Sequence, residues 1–256
     1  MFQNAQEISI TVVSVEGNIG SGKSTLLENL KAYYKDNLYV QFLKEPVDLW
    51  EKITDENGVT ILEKFYKDQD NYSFPFQVMA CVSRFKVLMD LKKSINEKYL
   101  AGYKKPFIII TERSLYTDKL VFAKMLYDSK KIEYVNYQIY LSLFDTFSQE
   151  FPVHKIVYVK TSPEICHHRI SLRSRDGETN IPLEYLNNCS DYHNNMLYDL
   201  IYSSEGITTG REEITLDGNI NIRENKAQIG KWIGQIEEFI NINEEIMTPE
   251  ETLQIL

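Results

Sequence analysis

Three observations predict an α/β fold built on a five-stranded parallel sheet flanked by helices. Short apolar runs at 8–15, 38–43, 107–111, 154–160 and 213–216 alternate with longer helical stretches, as in a doubly wound sheet. The first run, ISITVVSV, passes directly into EGNIGSGKST, where Gly17, four residues, Gly22, Lys23 and Ser24 have the spacing of a phosphate-binding loop. The 256 residues, 43% hydrophobic and 25% charged, suffice for the core of one large domain without internal repeats or low-complexity segments.

After the first strand, residues Gly17, Asn18, Ile19, Gly20, Ser21, Gly22, Lys23, Ser24 and Thr25 form the candidate phosphate site. Glycines allow φ above zero, so backbone N–H groups converge on one centre, and the helix KSTLLENLKAYYK adds its dipole. Lys23 is expected to reach terminal phosphates and the Ser24 hydroxyl to ligate Mg2+, which implies a bound nucleoside triphosphate. The plainer alternative is a strand-to-helix turn with a capping serine.

The second run ends in KEPVDLW. Pro46 cannot continue a central ladder, so Glu45 is expected to point into the cleft, where a carboxylate suits proton removal from an attacking hydroxyl. A solvated strand-end glutamate is the alternative. The helix FPFQVMACVSRFKVLMDL then sets Gln77, Ala80 and Arg84 on one face. That face is either a solvated stripe or a pocket wall, with Gln77 facing a planar heterocycle and Arg84 neutralised by a carboxylate such as Asp118.

The third run, FIII, leads into TERSLYTD. Glu112 then stands where such folds place a second magnesium contact, and Arg113 enters the same cleft unless it serves only a structural ion pair. After the fourth run, Pro163-Glu164 starts a helix. Arg169 and Arg173 lie one turn apart on it and Arg175 follows, so three of the chain's seven arginines fall within 169–175. That clustering favours a movable cationic lid over a basic helical face. His167 and His168 are adjacent, cannot share a helix face and are given no metal role. Thr248-Pro249-Glu250-Glu251 reads as a capping box opening a short C-terminal helix.

A net charge of −9 provides no general basic face, so no nucleic-acid partner is expected. Cys81, Cys166 and Cys189 have no zinc-type spacing and read as reduced core thiols of an intracellular, cytoplasmic protein. No apolar run reaches transmembrane length and MFQNAQEIS is unlike a signal peptide, so no membrane association is expected.

VEGNIGSGKST, EPVDLW, YSFPFQ, ACVSR, TERSLYTD, HHRISLRSRDGE and IPLEYL, in that order and spacing, resemble the deoxyribonucleoside kinases of the deoxycytidine, deoxyguanosine and mitochondrial-type thymidine kinase group. The resemblance spans about residues 8 to 240. It implies a P-loop kinase fold with an arginine-rich lid at about 169–182, in one domain over 1–256 with an extension from about 241. It further implies a homodimer that transfers the γ-phosphate of ATP, or another nucleoside triphosphate, to the 5′-hydroxyl of a deoxynucleoside.

By the same resemblance Glu45 would be the general base, Arg113 would hold the 5′-oxygen and steady Glu45, and Ser24 and Glu112 would hold magnesium. Lys23, Arg169, Arg173 and Arg175 would meet the triphosphate. Tyr66 and Glu178 would bind the sugar 3′-hydroxyl, Gln77 would read the base, and Trp50, Leu62, Phe76 and Phe122 would line the pocket. Ala80, Arg84 and Asp118 match the deoxycytidine and purine deoxynucleoside members rather than the thymidine-preferring ones. An Arg84–Asp118 pair would offer Asp118 to an exocyclic amino group and fill the room of a thymine methyl. The chain departs from the family pattern at RSRDGET, where Gly177 precedes Glu178, and after TLD, where GNINI has no aromatic residue. Alternatives are a thymidine kinase of the same family, a nucleoside monophosphate kinase, and a non-catalytic nucleotide-binding subunit; a GTPase would carry a DxxG after the third strand and an NKxD motif, and neither stands here.

Overall fold

The computed structural model describes residues 8–173, 178, 181–202 and 209–241. Five strands, β1 (Ile10–Glu16), β2 (Val40–Leu43), β3 (Phe107–Glu112), β4 (Lys155–Lys160) and β5 (Glu212–Asp217), form one parallel sheet in the order β2-β3-β1-β4-β5. The helices are α1 (Lys23–Tyr33), α2 (Val47–Trp50), α3 (Ile61–Lys67), α4 (Gln69–Leu100), α5 (Leu115–Thr117), α6 (Lys124–Asp128), α7 (Tyr134–Phe147), α8 (Pro163–Arg173), α9 (Leu183–Ile201) and α10 (Lys226–Ile240). A wider π-helical turn, Asp118–Ala123, joins α5 to α6.

The central strands are mostly apolar and buried because helices cover both faces. Every residue of β3 is buried. On one face Val13, Val15, Ile108, Ile110 and Val157 pack against Leu26 and Leu30 of α1 and Trp232 and Ile236 of α10. Leu26 is wholly buried, so Leu26→Ala is expected to cost about 2–5 kcal/mol. A second cluster joins Trp50, Phe65, Phe76, Leu126 and Tyr140, tying α2, α3, α4, α6 and α7 together beyond the sheet.

All five expected strands form, with shifted ends. β2 starts at Val40 because Asn37 makes a turn, its Oδ1 accepting from the Tyr39 N–H at 3.0 Å, and Leu38 faces solvent. Helix α4 extends beyond the 74–91 stretch on both sides; Asp68 caps it by accepting from the Asn71 N–H at 3.2 Å, and Pro75 lies inside it. Pro163 does open a helix. Residues 174–177 of the lid, Arg175 among them, residues 179–180, the 248–251 capping box and the extension beyond Asn241 lie outside the described residues. The three cysteines are free and buried, and no helix among the described residues is long and apolar enough to cross a membrane.

Candidate active site

A cleft of about 490 Å³ opens at the carboxyl ends of the strands, from the phosphate loop to the aromatic cluster of α3 and α4. Its first wall is the loop between β1 and α1. Gly17 and Gly20 have φ of 143° and 77°, and a Cβ would come within 2.6 Å of the Val159 carbonyl oxygen and 2.7 Å of the Cys166 carbonyl oxygen. These two glycines are therefore required by contact as well as conformation. Asn18 is buried and folds the loop on itself: its Nδ2 donates to the Leu186 carbonyl at 2.8 Å and its Oδ1 accepts from the Ile19 N–H at 2.8 Å.

Lys23 Nζ donates to the Asn18 carbonyl at 2.6 Å and to Ser21 Oγ at 3.3 Å. Burial, helped by the charge of Arg113, lowers its pKa to about 7 against the opposing pull of Glu112 and Glu45. Ser24 Oγ donates to Glu112 Oε1 at 2.6 Å. The β1–β3 pairing creates this contact, since Val15 lies in register with Glu112. A hydroxyl and a carboxylate together in the cleft wall are hard oxygen donors, and few in number. Both features fit Mg2+, which keeps most of its shell as water and phosphate oxygens. Among the described residues no cluster of three or more His, Cys, Asp or Glu competes for a metal.

Opposite the loop, Glu45 follows β2 and meets two arginines. Arg113 Nη1 donates to Oε1 and Oε2, each at 2.7 Å, and Arg84 Nη2 donates to Oε1 at 3.2 Å. Burial alone would push the Glu45 carboxyl up, but Arg113, Arg84 and Lys23 outweigh it and hold the pKa at about 2. Arg84 also donates through Nε to Asp118 Oδ2 at 2.8 Å, through Nη2 to Asp118 Oδ1 at 3.3 Å, and through Nη1 to the Glu112 carbonyl at 2.8 Å. Burial pushes the Asp118 carboxyl up, opposed by Arg84. Arg84 itself is not on the cleft wall; Asp118 is, and the guanidinium stands behind it.

The far end of the cleft is apolar. Phe76 stacks on Phe65 with centroids 4.6 Å apart and meets Trp50 edge-on at 5.4 Å, while Trp50 Nε1 donates to Ser83 Oγ at 2.8 Å. Leu62, Tyr66, Gln77, Ala80 and Phe122 complete this wall, with the Arg113 guanidinium 5.1 Å from the Phe122 ring centroid. Burial, with Glu178 next, raises the Tyr66 hydroxyl well above its usual range, so it stays protonated and able to donate.

The two described lid arginines behave differently. Arg173 donates to Glu178. Arg169 instead grips backbone: Nη1 donates to the carbonyls of Ser21 at 3.2 Å and Gly218 at 2.8 Å, and Nη2 to those of Asn219 and Ile220 at 3.4 Å. It joins the phosphate loop to the loop after β5. Ile19, Gly20, Ser21, Gly22, Lys23, Ser24, Thr25, Arg169, Arg173 and Glu178 all line the cleft, whereas Gly17 and Asn18 do not. Lining residues absent from the sequence reading include Phe65, Tyr185, Ile220, Ile222 and Arg223. Phe65 and Tyr185 had only an amphipathic helical pattern to mark them, which core packing produces equally well.

A parallel sheet with a phosphate loop after β1, a carboxylate and hydroxyl pair beside it, and an arginine-bound glutamate across from it defines a phosphotransferase cleft. The sequence model of the deoxynucleoside kinase family matches residues 13–241, and the chain belongs to that family. It is 35% identical to deoxycytidine kinase of Homo sapiens over 204 residues, covering 73% of this chain and 75% of that protein. Deoxycytidine kinase of Mus musculus is 31% identical over 249 residues, 91% of this chain and 92% of the relative. The mitochondrial deoxyguanosine kinase of Xenopus laevis is 30% identical over 206 residues, 75% of each chain.

Proposed function

We propose that this family member transfers the γ-phosphate of ATP to the 5′-hydroxyl of a deoxynucleoside bearing an exocyclic amino group, with deoxycytidine or a purine deoxynucleoside favoured over thymidine. The observation that carries the reading is the Glu45 carboxylate, held ionised by Arg113 and Arg84 across from the phosphate loop. In this reading the 5′-hydroxyl donates to Glu45. A carboxylate near pKa 2 is a weak base, so it orients the hydroxyl and takes the proton as the new O–P bond forms, in keeping with a loose transition state. Arg113, in contact with Glu45, receives the 5′-oxygen.

Lys23 and Arg173 balance the charge that develops on the phosphoryl oxygens, and Gly20 and Gly22 supply backbone N–H groups. Ser24 and Glu112 would hold Mg2+, whose charge neutralises the β- and γ-phosphates when bound. Tyr66 and Glu178 take the sugar hydroxyl, and Gln77 with Asp118 takes the base between Phe76 and Phe122. The relatives named as deoxycytidine and deoxyguanosine kinases support this choice of base. Exposed Val82 and Met89 on α4, with Val135 and Ile139 on α7, support a homodimer.

The test is a panel of the four deoxynucleosides and their monophosphates with ATP and magnesium. Turnover of deoxycytidine or a purine deoxynucleoside above thymidine is expected; turnover of monophosphates alone would make the chain a monophosphate kinase instead.

A further inference from the structure

Glu16 is the last residue of β1, wholly buried, and immediately precedes Gly17 of the phosphate loop. Removing a carboxylate from water is costly, and here three side-chain hydroxyls compensate it. Ser14 Oγ and Ser114 Oγ donate to Oε1, the latter at 2.9 Å, and Thr117 Oγ1 donates to Oε2 at 2.6 Å. Ser114 and Thr117 also cap each other: the Ser114 N–H donates to Thr117 Oγ1 at 3.2 Å and the Thr117 N–H to Ser114 Oγ at 3.3 Å.

The residues at the two ends of this cap are the ones that matter to the cleft. Arg113, just before it, has φ of 61°, a left-handed conformation that strains any residue with a Cβ. Its N–H donates to the Val15 carbonyl at 3.0 Å, and its carbonyl accepts from Thr111 Oγ1 at 2.7 Å. Asp118, just after the cap, donates its N–H to the Ser114 carbonyl at 3.3 Å and carries Arg84. The Arg113 strain is thus fixed by its neighbours in β1 and β3 and, through Ser114, by the Glu16 carboxylate.

We propose that Glu16 is a positioning residue: by locking the Ser114–Thr117 cap to the end of β1 it keeps Arg113 in the left-handed conformation that delivers its guanidinium to Glu45. The proposal rests on the reading of Glu45 and Arg113 given above. A glutamine at position 16 keeps the volume but faces Thr117 Oγ1 with either an acceptor or an amide donor. Whichever way the amide turns, its NH2 group faces a hydroxyl that donates to the carboxylate in the unaltered protein, Thr117 Oγ1 on one side or those of Ser14 and Ser114 on the other, so at least one of these donations to residue 16 is lost and that hydrogen must turn elsewhere.

The experiment is a double-mutant cycle in the full chain with Glu16→Gln and Arg113→Ala, reading kcat, KM for MgATP and Tm. Glu16→Gln is expected to lower kcat by at least about tenfold while KM for MgATP stays within about twofold, the pattern of a contact that acts in the transition state. On the Arg113→Ala background it should cost nothing further, because the effect passes through Arg113. Thr117→Val, which removes one donor at equal shape, should lower kcat in the same direction by less, and carries the test if Glu16→Gln does not fold. Unchanged kcat in Glu16→Gln or, should that variant not fold, in Thr117→Val would overturn the proposal, as would a Glu16→Gln loss confined to KM for MgATP. A loss that persists in full without the Arg113 side chain would also overturn it. Normal kcat in Arg113→Ala itself would instead sink the reading of the site, and this proposal with it.

Discussion

A single nitrogen of Arg113, Nη1, lies 2.7 Å from both carboxylate oxygens of Glu45. The guanidinium therefore straddles the carboxylate from one side and leaves the remaining lone pairs directed elsewhere. Arg84 takes another of them at 3.2 Å. Glu45 is held in place before any ligand arrives, so it brings a pre-oriented proton acceptor to the reaction.

Glu45→Gln should lower kcat by about a hundredfold or more, the scale of a lost general base, while deoxynucleoside binding persists. Single-turnover rates together with a binding isotherm would check this. Near-normal turnover removes Glu45 from the role.

Lys23 supplies a second expectation through its pKa of about 7. Near neutral pH it is partly uncharged, and the negative phosphates of a bound donor must raise its pKa. Binding of ATP above about pH 7 should then take up as much as about one proton per site, and affinity should weaken as pH rises. Calorimetry in two buffers of different ionisation enthalpy reads the uptake directly. Lys23→Ala should show none and should lose catalysis; equal uptake in that variant assigns the proton elsewhere.

Much of this architecture was legible in the sequence because it depends on local signals. The phosphate-loop spacing, Pro46 after Glu45 and the acidic end of FIII each mark a strand's carboxyl end, and the sheet order places β3 beside β1 so that Ser24 meets Glu112. Arg84 and Asp118 were also expected to meet, since two charges among apolar neighbours need each other, and they do at 2.8 Å. Contacts to backbone were not legible. Arg169 reads in sequence as a lid arginine, yet its guanidinium is occupied by four carbonyls, and carbonyls leave no trace in side-chain identity. Glu16 was hidden for a related reason: besides Ser14 on its own strand, its partners are an ordinary serine and threonine about 100 residues away, brought near by the β1–β3 register.

His193 makes acid stability a third test. It is wholly buried on α9, its Nδ1 lies 2.7 Å from the Cys189 carbonyl, and burial with the charge of Arg113 pulls its pKa down to about 3. The unfolded chain binds this proton at about pH 6.5 and the folded one only near 3, so the stabilisation is complete above about 6.5 and is lost as pH falls toward 3. Glu45, also depressed, adds a loss only below about 4.5. Tm should therefore decline between about pH 6.5 and 4.5, and His193→Leu should flatten that slope whatever its effect on absolute stability. An unchanged slope in the variant would exclude His193 as the source.

The last prediction concerns the base. Arg84 and Asp118 are both buried, and each of the two polar contacts between them has Asp118 on the cleft side. Arg84→Met alone strands a buried carboxylate. Asp118→Ala alone leaves the buried Arg84 guanidinium with only Glu45 and the Glu112 carbonyl. Each single change should cost about 3–5 kcal/mol of stability if the pocket is dry, whereas the double change removes both charges and should recover most of it. The same double variant opens room for a thymine methyl and withdraws the acceptor for an amino group, so thymidine should gain in kcat/KM relative to deoxycytidine. Urea denaturation and kcat/KM for both nucleosides across the four proteins read the two halves separately. If the unaltered protein already prefers thymidine, or the double variant gains nothing on it, the pair serves folding and Glu45 alignment rather than choice of base.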